Sequence, residues 1–479
     1  MFSTKLPNGL TVVGETMPGY RSVSMGVWIN AGSVYERGGE LGAAHFIEHM
    51  LFKGTKKRSA SDIAEEMDAV GGNLNAFTSK ECTCFYGRVL GRDTDVLARI
   101  LSDLVFDSLL DEGDIEREKG VVCEEISMTE DSPEDLAAEK SISGFYEGDP
   151  LERPILGTAR SVRAFDRDQL VRYMQRLYTP DNMVIAAAGD IKEKALIDLL
   201  SESFTAEGKA EREPVEFSFH RPGKRAFFIP KDIEQVHISV CLPGFKKDTK
   251  ENYAQLLFSN AFGGSMSSRL FQRIREESGL AYSVYSYPTA FMHSGFLTMY
   301  AGTGPENAVT VARMMMDEVE SVRRSGLKKE ELSRAKDQLI SSFLMAQEST
   351  AARSSAIGRA QLLRGSHLTE DEVIERISSV TMDDIAAVLP TLTNTEDISV
   401  AAVGIIFVKK VGDSSHVSRL QKCREHRTYR YTDTYLKKTC ISSNHCNQYV
   451  NDTERRASVP NHHEKSPVVS VCKHARRHT

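Results

Sequence analysis

Two short apolar runs, alike in pattern and 215 positions apart, constrain this chain more than any other feature of it. Met183-Val-Ile-Ala-Ala-Ala-Gly-Asp-Ile191 closes one stretch of sequence, and Ile398-Ser-Val-Ala-Ala-Val-Gly-Ile-Ile406 closes another. Each reads as a buried strand ending at a glycine, Gly189 or Gly404. Other features recur near the same offset. Arg117-Glu-Lys119 and Arg334-Ala-Lys336 each lie in a long helical pattern. Ser22 to Ala31 puts Val23, Met25, Val27 and Ile29 on one face, and Gln235 to Leu242 repeats the alternation with Val236, Ile238 and Val240. The repeats imply a duplicated α+β body: two homologous domains, each a mostly antiparallel sheet packed with helices. The expected boundaries are 1–205 and 223–408, joined by a charged linker at 206–222 that contains Gly208, Pro214 and Pro222.

Charge separates this body from the C-terminal stretch. The 479 residues carry 60 Lys+Arg and 67 Asp+Glu, a formal charge of −7, which argues against a general nucleic-acid binder. The 71 residues from Lys409 onward hold 15 basic and 6 acidic side chains, a balance of +9, and leave the first 408 at −16. This tail has a single Gly, no Phe, Met or Trp, and no sustained periodicity, so it is expected to be disordered. A frameshifted or read-through C-terminus would produce such a non-native stretch. Its Cys440, His445, Cys446, His462 and His463 match no standard zinc spacing and are read as incidental. Without the alternation of aromatic and basic residues that stacks on bases, the tail is not read as a nucleic-acid-binding arm. No apolar run reaches the length of a membrane span. The N-terminus shows no charged-then-apolar signal. Eight cysteines in a chain of this length fit a reducing compartment better than a disulfide scaffold.

The residues that carry chemistry are His45-Phe-Ile-Glu48-His49. His45 and His49 are i and i+4, so on a helix they project from one face about one turn apart. Two imidazoles so placed can share a Zn²⁺ ion, and Glu48, on a neighbouring flank, can take a proton from water at the metal; this is the inverted H-x-x-E-H arrangement of zinc peptidases. A third ligand is needed. In Asp114 to Met128, where Val121, Val122 and Ile126 suit a half-buried helix, Glu118 and Glu125 are two turns apart on one face. Glu125 is the preferred third ligand and Glu118 a supporting carboxylate, although spacing alone does not separate Glu125 from Glu124.

These motifs resemble the pitrilysin-like, or M16, zinc metallopeptidases, most of all the bacterial relatives of mitochondrial processing peptidase. The resemblance rests on H-F-I-E-H-M-L-F-K-G-T (45–55), G-G-N-L-N-A-F-T (71–78), E-R-E-K-G-V-V-C-E-E-I (116–126) and R-E-E-S-G-L-A-Y (275–282). It implies a zinc endopeptidase with Glu48 as general base, His45, His49 and Glu125 as ligands and Glu118 as helper. It implies that Asn75 and Ala76 lie in an edge strand that pairs with extended peptide, and that Arg275 and Tyr282 position substrate and steady the oxyanion. It further implies a dimer, of identical or related chains, enclosing a chamber, with Arg275 and Tyr282 open to acting on the partner's zinc. The second half has no H-x-x-E-H near Ala261 to Gly264, so one half carries the metal. The acidic body, with Glu124, Glu130, Asp131, Glu134 and Asp135 near the site, is expected to favour basic peptides. The compartment implied is the bacterial cytoplasm, with the mitochondrial matrix as alternative. The competing reading is a non-catalytic scaffold of the same fold.

Overall fold

A computed structural model describes residues 1–211, 215–217 and 223–406. The readings of the tail, and of linker residues 212–214 and 218–222, lie outside them. Strands β1 Phe2–Lys5, β2 Thr11–Thr16, β3 Ser22–Ile29, β4 Asn73–Thr78, β5 Thr83–Leu90 and β6 Met183–Gly189 form one sheet in the order β1-β2-β6-β3-β5-β4. Strands β7 Lys224–Ile229, β8 Val236–Pro243, β9 Ala281–Ala290, β10 Gly295–Thr303 and β11 Ile398–Val403 form the other, in the order β7-β11-β8-β10-β9. Apart from β1, the second order is the first with each strand replaced by its repeat. One pair in each sheet is parallel, β2 with β6 and β7 with β11, and the rest are antiparallel. The expected α+β duplication is therefore present. The two glycines that close the repeated runs have a structural reason. Gly189 and Gly404 have φ of 143° and 134°, and a Cβ there would stand 2.3 Å from Ser22 O, at the start of the adjacent β3, or 2.8 Å from Gln235 O, just before the adjacent β8.

Helices α1 Ala43–Leu51, α2 Ala60–Ala69, α3 Thr94–Asp107, α4 Glu112–Asp131, α5 Pro133–Phe145, α6 Ala159–Ala164, α7 Arg167–Leu177 and α8 Glu193–Ser203 belong to the first half. Helices α9 Lys250–Ser259, α10 Ala308–Ser325, α11 Lys329–Ala346, α12 Thr350–Arg364, α13 Glu370–Ser378 and α14 Met382–Leu392 belong to the second. The predicted apolar faces are the core faces. Val23, Met25, Val27 and Ile29 pack with Phe46, Ile47 and Leu101. Val236, Ile238 and Val240 pack with Leu257, Phe258 and Met315.

The opposite faces are covered by an exchange of helices. Helix α12, from the second half, lies across β2, β3 and β6; helix α5, from the first, lies across β7, β8 and β11. Ser354 Oγ donates to Ala186 O at 3.0 Å, and the Ser141 and Ser239 hydroxyls meet at 2.8 Å. Each helix has a glycine where it presses on the sheet. A Cβ on Gly358 would stand 2.2 Å from Trp28 Nε1, and one on Gly144 2.2 Å from Phe227 Cε2. Residues 206–211 are tied to the first half, with Asn8 Nδ2 donating to Ala206 O and Glu211 N to Arg176 O.

Candidate metal centre

Helix α1 starts at Gly42, whose φ of 89° lets the chain turn sharply against Leu156 and Gly157. Its first backbone N–H groups would be buried without partners. Glu36, 3% exposed, supplies them: its two carboxylate oxygens accept from Gly42 N at 3.0 Å and Ala44 N at 3.1 Å. Burial pushes the Glu36 carboxyl up to about 8, against the pull of those two N–H groups. With the helix anchored, Phe46, Ile47, Met50 and Leu51 fill the core, and His45 and His49 stand side by side with ring centroids 4.6 Å apart.

Helix α4 is capped by Asp111, which accepts from Gly113 N and Asp114 N, and it buries Ile115, Val122 and Ile126. Val121, expected on the same buried side, is instead 50% exposed, because one further residue turns it about 100° away from Ile115 and Val122. Glu124 is exposed, whereas Glu125 reaches the histidines: its Oε2 lies 3.6 Å from His45 Nε2 and 3.4 Å from His49 Nε2. That oxygen is buried and has no hydrogen-bond donor. Around a tetrahedral zinc with ligands at about 2.0–2.1 Å, neighbouring donors stand about 3.3–3.4 Å apart. The His45–His49–Glu125 triangle thus fits a metal ion.

The surrounding contacts tune these groups. Glu118, 4% exposed, accepts from His49 Nδ1 at 2.8 Å and pairs with Lys53 Nζ at 2.7 Å. Burial and the neighbouring His49 lower His45 to about 4, so it is neutral near pH 7. Burial also pushes His49 down, but the Glu118 hydrogen bond and nearby carboxylates outweigh it and the net direction is up. Glu118 is lowered: burial alone would raise it, and the His49 and Lys53 hydrogen bonds win. Glu48 is raised by burial, partly offset by the Thr78 hydroxyl that donates to its carboxylate. Sequence reasoning assigned no role to Glu36, Lys53 or Thr78. Lys53 and Thr78 at least sit inside the motifs at 45–55 and 71–78; nothing in the local pattern marks Glu36.

Among the described residues, strand β4 is the free edge of its sheet and pairs only with β5. Asn75 and Ala76 lie at its centre, and Asn75 Oδ1 accepts from Ala76 N at 2.8 Å. In the second half Arg275 and Tyr282 are together. The Arg275 guanidinium sits over the Phe271 and Tyr282 rings at 4.8 and 4.5 Å and donates to Tyr282 O at 2.8 Å. Tyr282 is 75% exposed rather than a core aromatic. Among the described residues, neither side chain hydrogen-bonds or ion-pairs with His45, His49 or Glu125 within the chain.

Two family models match the sequence: Insulinase (Peptidase family M16) over residues 11–159 and Peptidase M16 inactive domain over residues 164–339. The chain is 39% identical over 399 residues to the uncharacterized zinc protease YmxG of Bacillus subtilis (strain 168), a match spanning 83% of this chain and 96% of that one. The chain belongs to peptidase family M16. An uncharacterized zinc protease of Rickettsia bellii is a further relative, 36% identical over 80% of this chain and 92% of its own. Two solved structures share the M16 fold at 19% identity and a TM-score of 0.78: a peptidase M16 inactive domain from Pseudomonas fluorescens, over 85% of this chain and 99% of that one, and a protease from Helicobacter pylori, over 84% and 99%. The second family model begins at Ala164, so it takes in α7, β6 and α8 of the first half as well as β7 to β10.

Proposed function

We propose that this M16 member is a zinc-dependent endopeptidase, processing-peptidase-like, acting on peptides or unfolded segments in an enclosed chamber. The observation that carries the reading is Glu125 Oε2, buried, without a donor, and equidistant within 0.2 Å from two histidine nitrogens. The names of the relatives, zinc proteases, support zinc as the ion. When bound to His45, His49 and Glu125, zinc supplies Lewis acidity toward the scissile carbonyl and the attacking water.

The chain's own residues do the rest. Glu48, held by Thr78 at the end of the edge strand, takes the proton from the attacking water and delivers it to the leaving amine. Glu118 fixes the His49 ring so that Nε2 faces the metal site. Strand β4 receives the substrate backbone at Asn75 and Ala76, which leaves selection to side-chain pockets. Arg275 and the exposed Tyr282 hold substrate and stabilise the oxyanion. Among the described residues they neither hydrogen-bond nor ion-pair with the zinc residues of their own chain, which supports action on the partner's site in a dimer. The acidic helix end favours basic residues somewhere along the substrate. Of those acids, Asp131 pairs with Lys231 and Glu134 accepts from Tyr285, so Glu124, Glu130 and Asp135 carry that preference. The relatives are bacterial, which favours the bacterial cytoplasm over the mitochondrial matrix; no described helix is long and apolar enough to cross a membrane.

The test is metal content together with cleavage of a quenched basic peptide. A zinc-loaded chain whose cleavage a chelator abolishes supports the peptidase; a metal-free, inert chain would leave the scaffold reading. Mixing a His45→Ala chain with an Arg275→Ala/Tyr282→Phe chain tests action in trans, which predicts more activity than either variant alone; no gain would reject it.

A further inference from the structure

On the face of the first sheet away from the zinc residues lies a cavity of about 370 Å³, between β3, β4 and β5 and the exchanged helix α12. Its walls are Trp28, Phe77, Cys84 and Tyr86, with Gly26 between them and Arg88 at the rim. Gly26 keeps it open: a Cβ there would stand 3.1 Å from Trp28 Nε1 and 3.3 Å from both Cys84 Sγ and Tyr86 Cβ. The Trp28 N–H is buried and has no acceptor, although the residue is 2% exposed. Arg88 forms no ion pair among the described residues. Arg359, on α12, lies over the Trp28 and Phe77 rings at 5.9 and 6.0 Å.

The position of this cavity along β4 gives it a use. Asn73, Asn75 and Phe77 share one face of the strand, and Asn73 and Phe77 line the cavity on either side of Asn75. A peptide paired with the free edge of β4 presents every second side chain to that same face. We propose that this cavity is the subsite for one such side chain, and that it takes an aromatic residue. The walls are aromatic, and the Arg88 guanidinium at the rim, with Arg359 behind the Trp28 and Phe77 rings, opposes lysine or arginine. The proposal rests on the peptidase reading for the direction of the peptide along β4. It places the basic preference of the substrate at other positions.

Trp28 is the only tryptophan of the chain, so its emission reports occupancy without any turnover. The experiment titrates full-length Glu48→Gln protein with a positional series of decapeptides in an Ala/Ser background, each with one Tyr, and with the matching Ala and Arg peptides, exciting tryptophan selectively. At one position the Tyr peptide is expected to shift Trp28 emission and to bind about tenfold or more tighter than Ala, with Arg no tighter than Ala. Gly26→Ala should remove the preference for Tyr. Arg88→Glu, an exposed change that leaves the core intact, should bring the Arg peptide above Ala. Equal affinity of Tyr and Ala at every position, or tight binding that leaves Trp28 emission unmoved, would overturn the subsite. An absence of cleavage by the unmutated enzyme, with Trp28 still responding to the Tyr peptide, would instead count against the peptidase reading alone.

Discussion

Exchanging one helix between the halves makes Gly358→Ala a sharp test of how tightly they are joined. The new Cβ would stand 2.2 Å from Trp28 Nε1, 2.6 Å from Trp28 Cδ1 and 2.8 Å from Ala186 Cβ. All three atoms belong to residues at most 2% exposed, so nothing yields without moving the sheet or the helix. Overpacking of this kind costs about 2–3 kcal/mol, and Ala in a helix returns about 1 kcal/mol over Gly, for a net loss of about 1–2 kcal/mol. At about 2–4 °C per kcal/mol this lowers the Tm by about 2–8 °C. The pseudo-symmetric Gly144→Ala is the control. Its Cβ meets the ring edge of Phe227 at 2.2 Å and Ser399 Oγ at 2.7 Å, but Phe227 is 36% exposed on an edge strand and can turn outward, and the Ser399 hydroxyl has no hydrogen bond to lose by rotating away. The loss there is expected at about 0–1 kcal/mol. Thermal melts followed by circular dichroism, with Trp28 emission alongside, read both. Gly358→Ala should melt earlier and shift the emission, and Gly144→Ala should do neither to the same degree. A Gly358→Ala protein as stable as its parent with unchanged emission would refute the tight seating of α12.

Glu118→Gln should weaken zinc binding about 10–100-fold by freeing the His49 ring, measured by competition with a chelating indicator; an unchanged affinity would remove its orienting role. Because burial raises Glu48, the acid limb of kcat/KM should fall above the ordinary Glu value of about 4.3, and Thr78→Val, which deletes the bond that holds it down, should move the limb further up; a limb that moves down would contradict the assignment. Glu331 accepts two hydrogen bonds from Arg269, at 2.8 and 2.7 Å, and is lowered: burial raises it, but those bonds prevail. Its stabilisation is therefore present above about pH 4.3, the unfolded value, and is lost as pH falls through the lower folded value. Tm measured against pH should show Glu331→Gln less stable than its parent near neutrality and converging with it in acid; a constant gap would reject the linkage.

What the sequence reveals here depends on how local the cause is. The two histidines share a face because helix geometry puts i and i+4 together, and the strand alternations of Val23–Ile29 and Val236–Val240 mark core faces for the same kind of reason. The choice between Glu124 and Glu125 is not local. It is made by how α4 docks against α1, and only the structure shows Glu125 Oε2 between the imidazoles. The exchange of α5 and α12 escapes a periodicity argument altogether. An amphipathic pattern states which face of a helix is apolar, not which sheet it covers, so nothing in the sequence marks the face of Ser24, Gly26 and Trp28 as the one that α12 buries. Glu36 is equally illegible, an acidic loop residue whose only distinction is that two helix N–H groups need its oxygens.

If His45, His49 and Glu125 hold zinc while Glu48 moves the proton, the two roles can be separated in one variant. Comparing Glu48→Gln with the unmutated chain, for zinc content and for turnover of one peptide in the same preparations, does so. The division of roles predicts equal zinc, a single ion per chain, and a loss of turnover of about 10²–10⁴-fold or more. Near-normal turnover in the zinc-replete variant would contradict it.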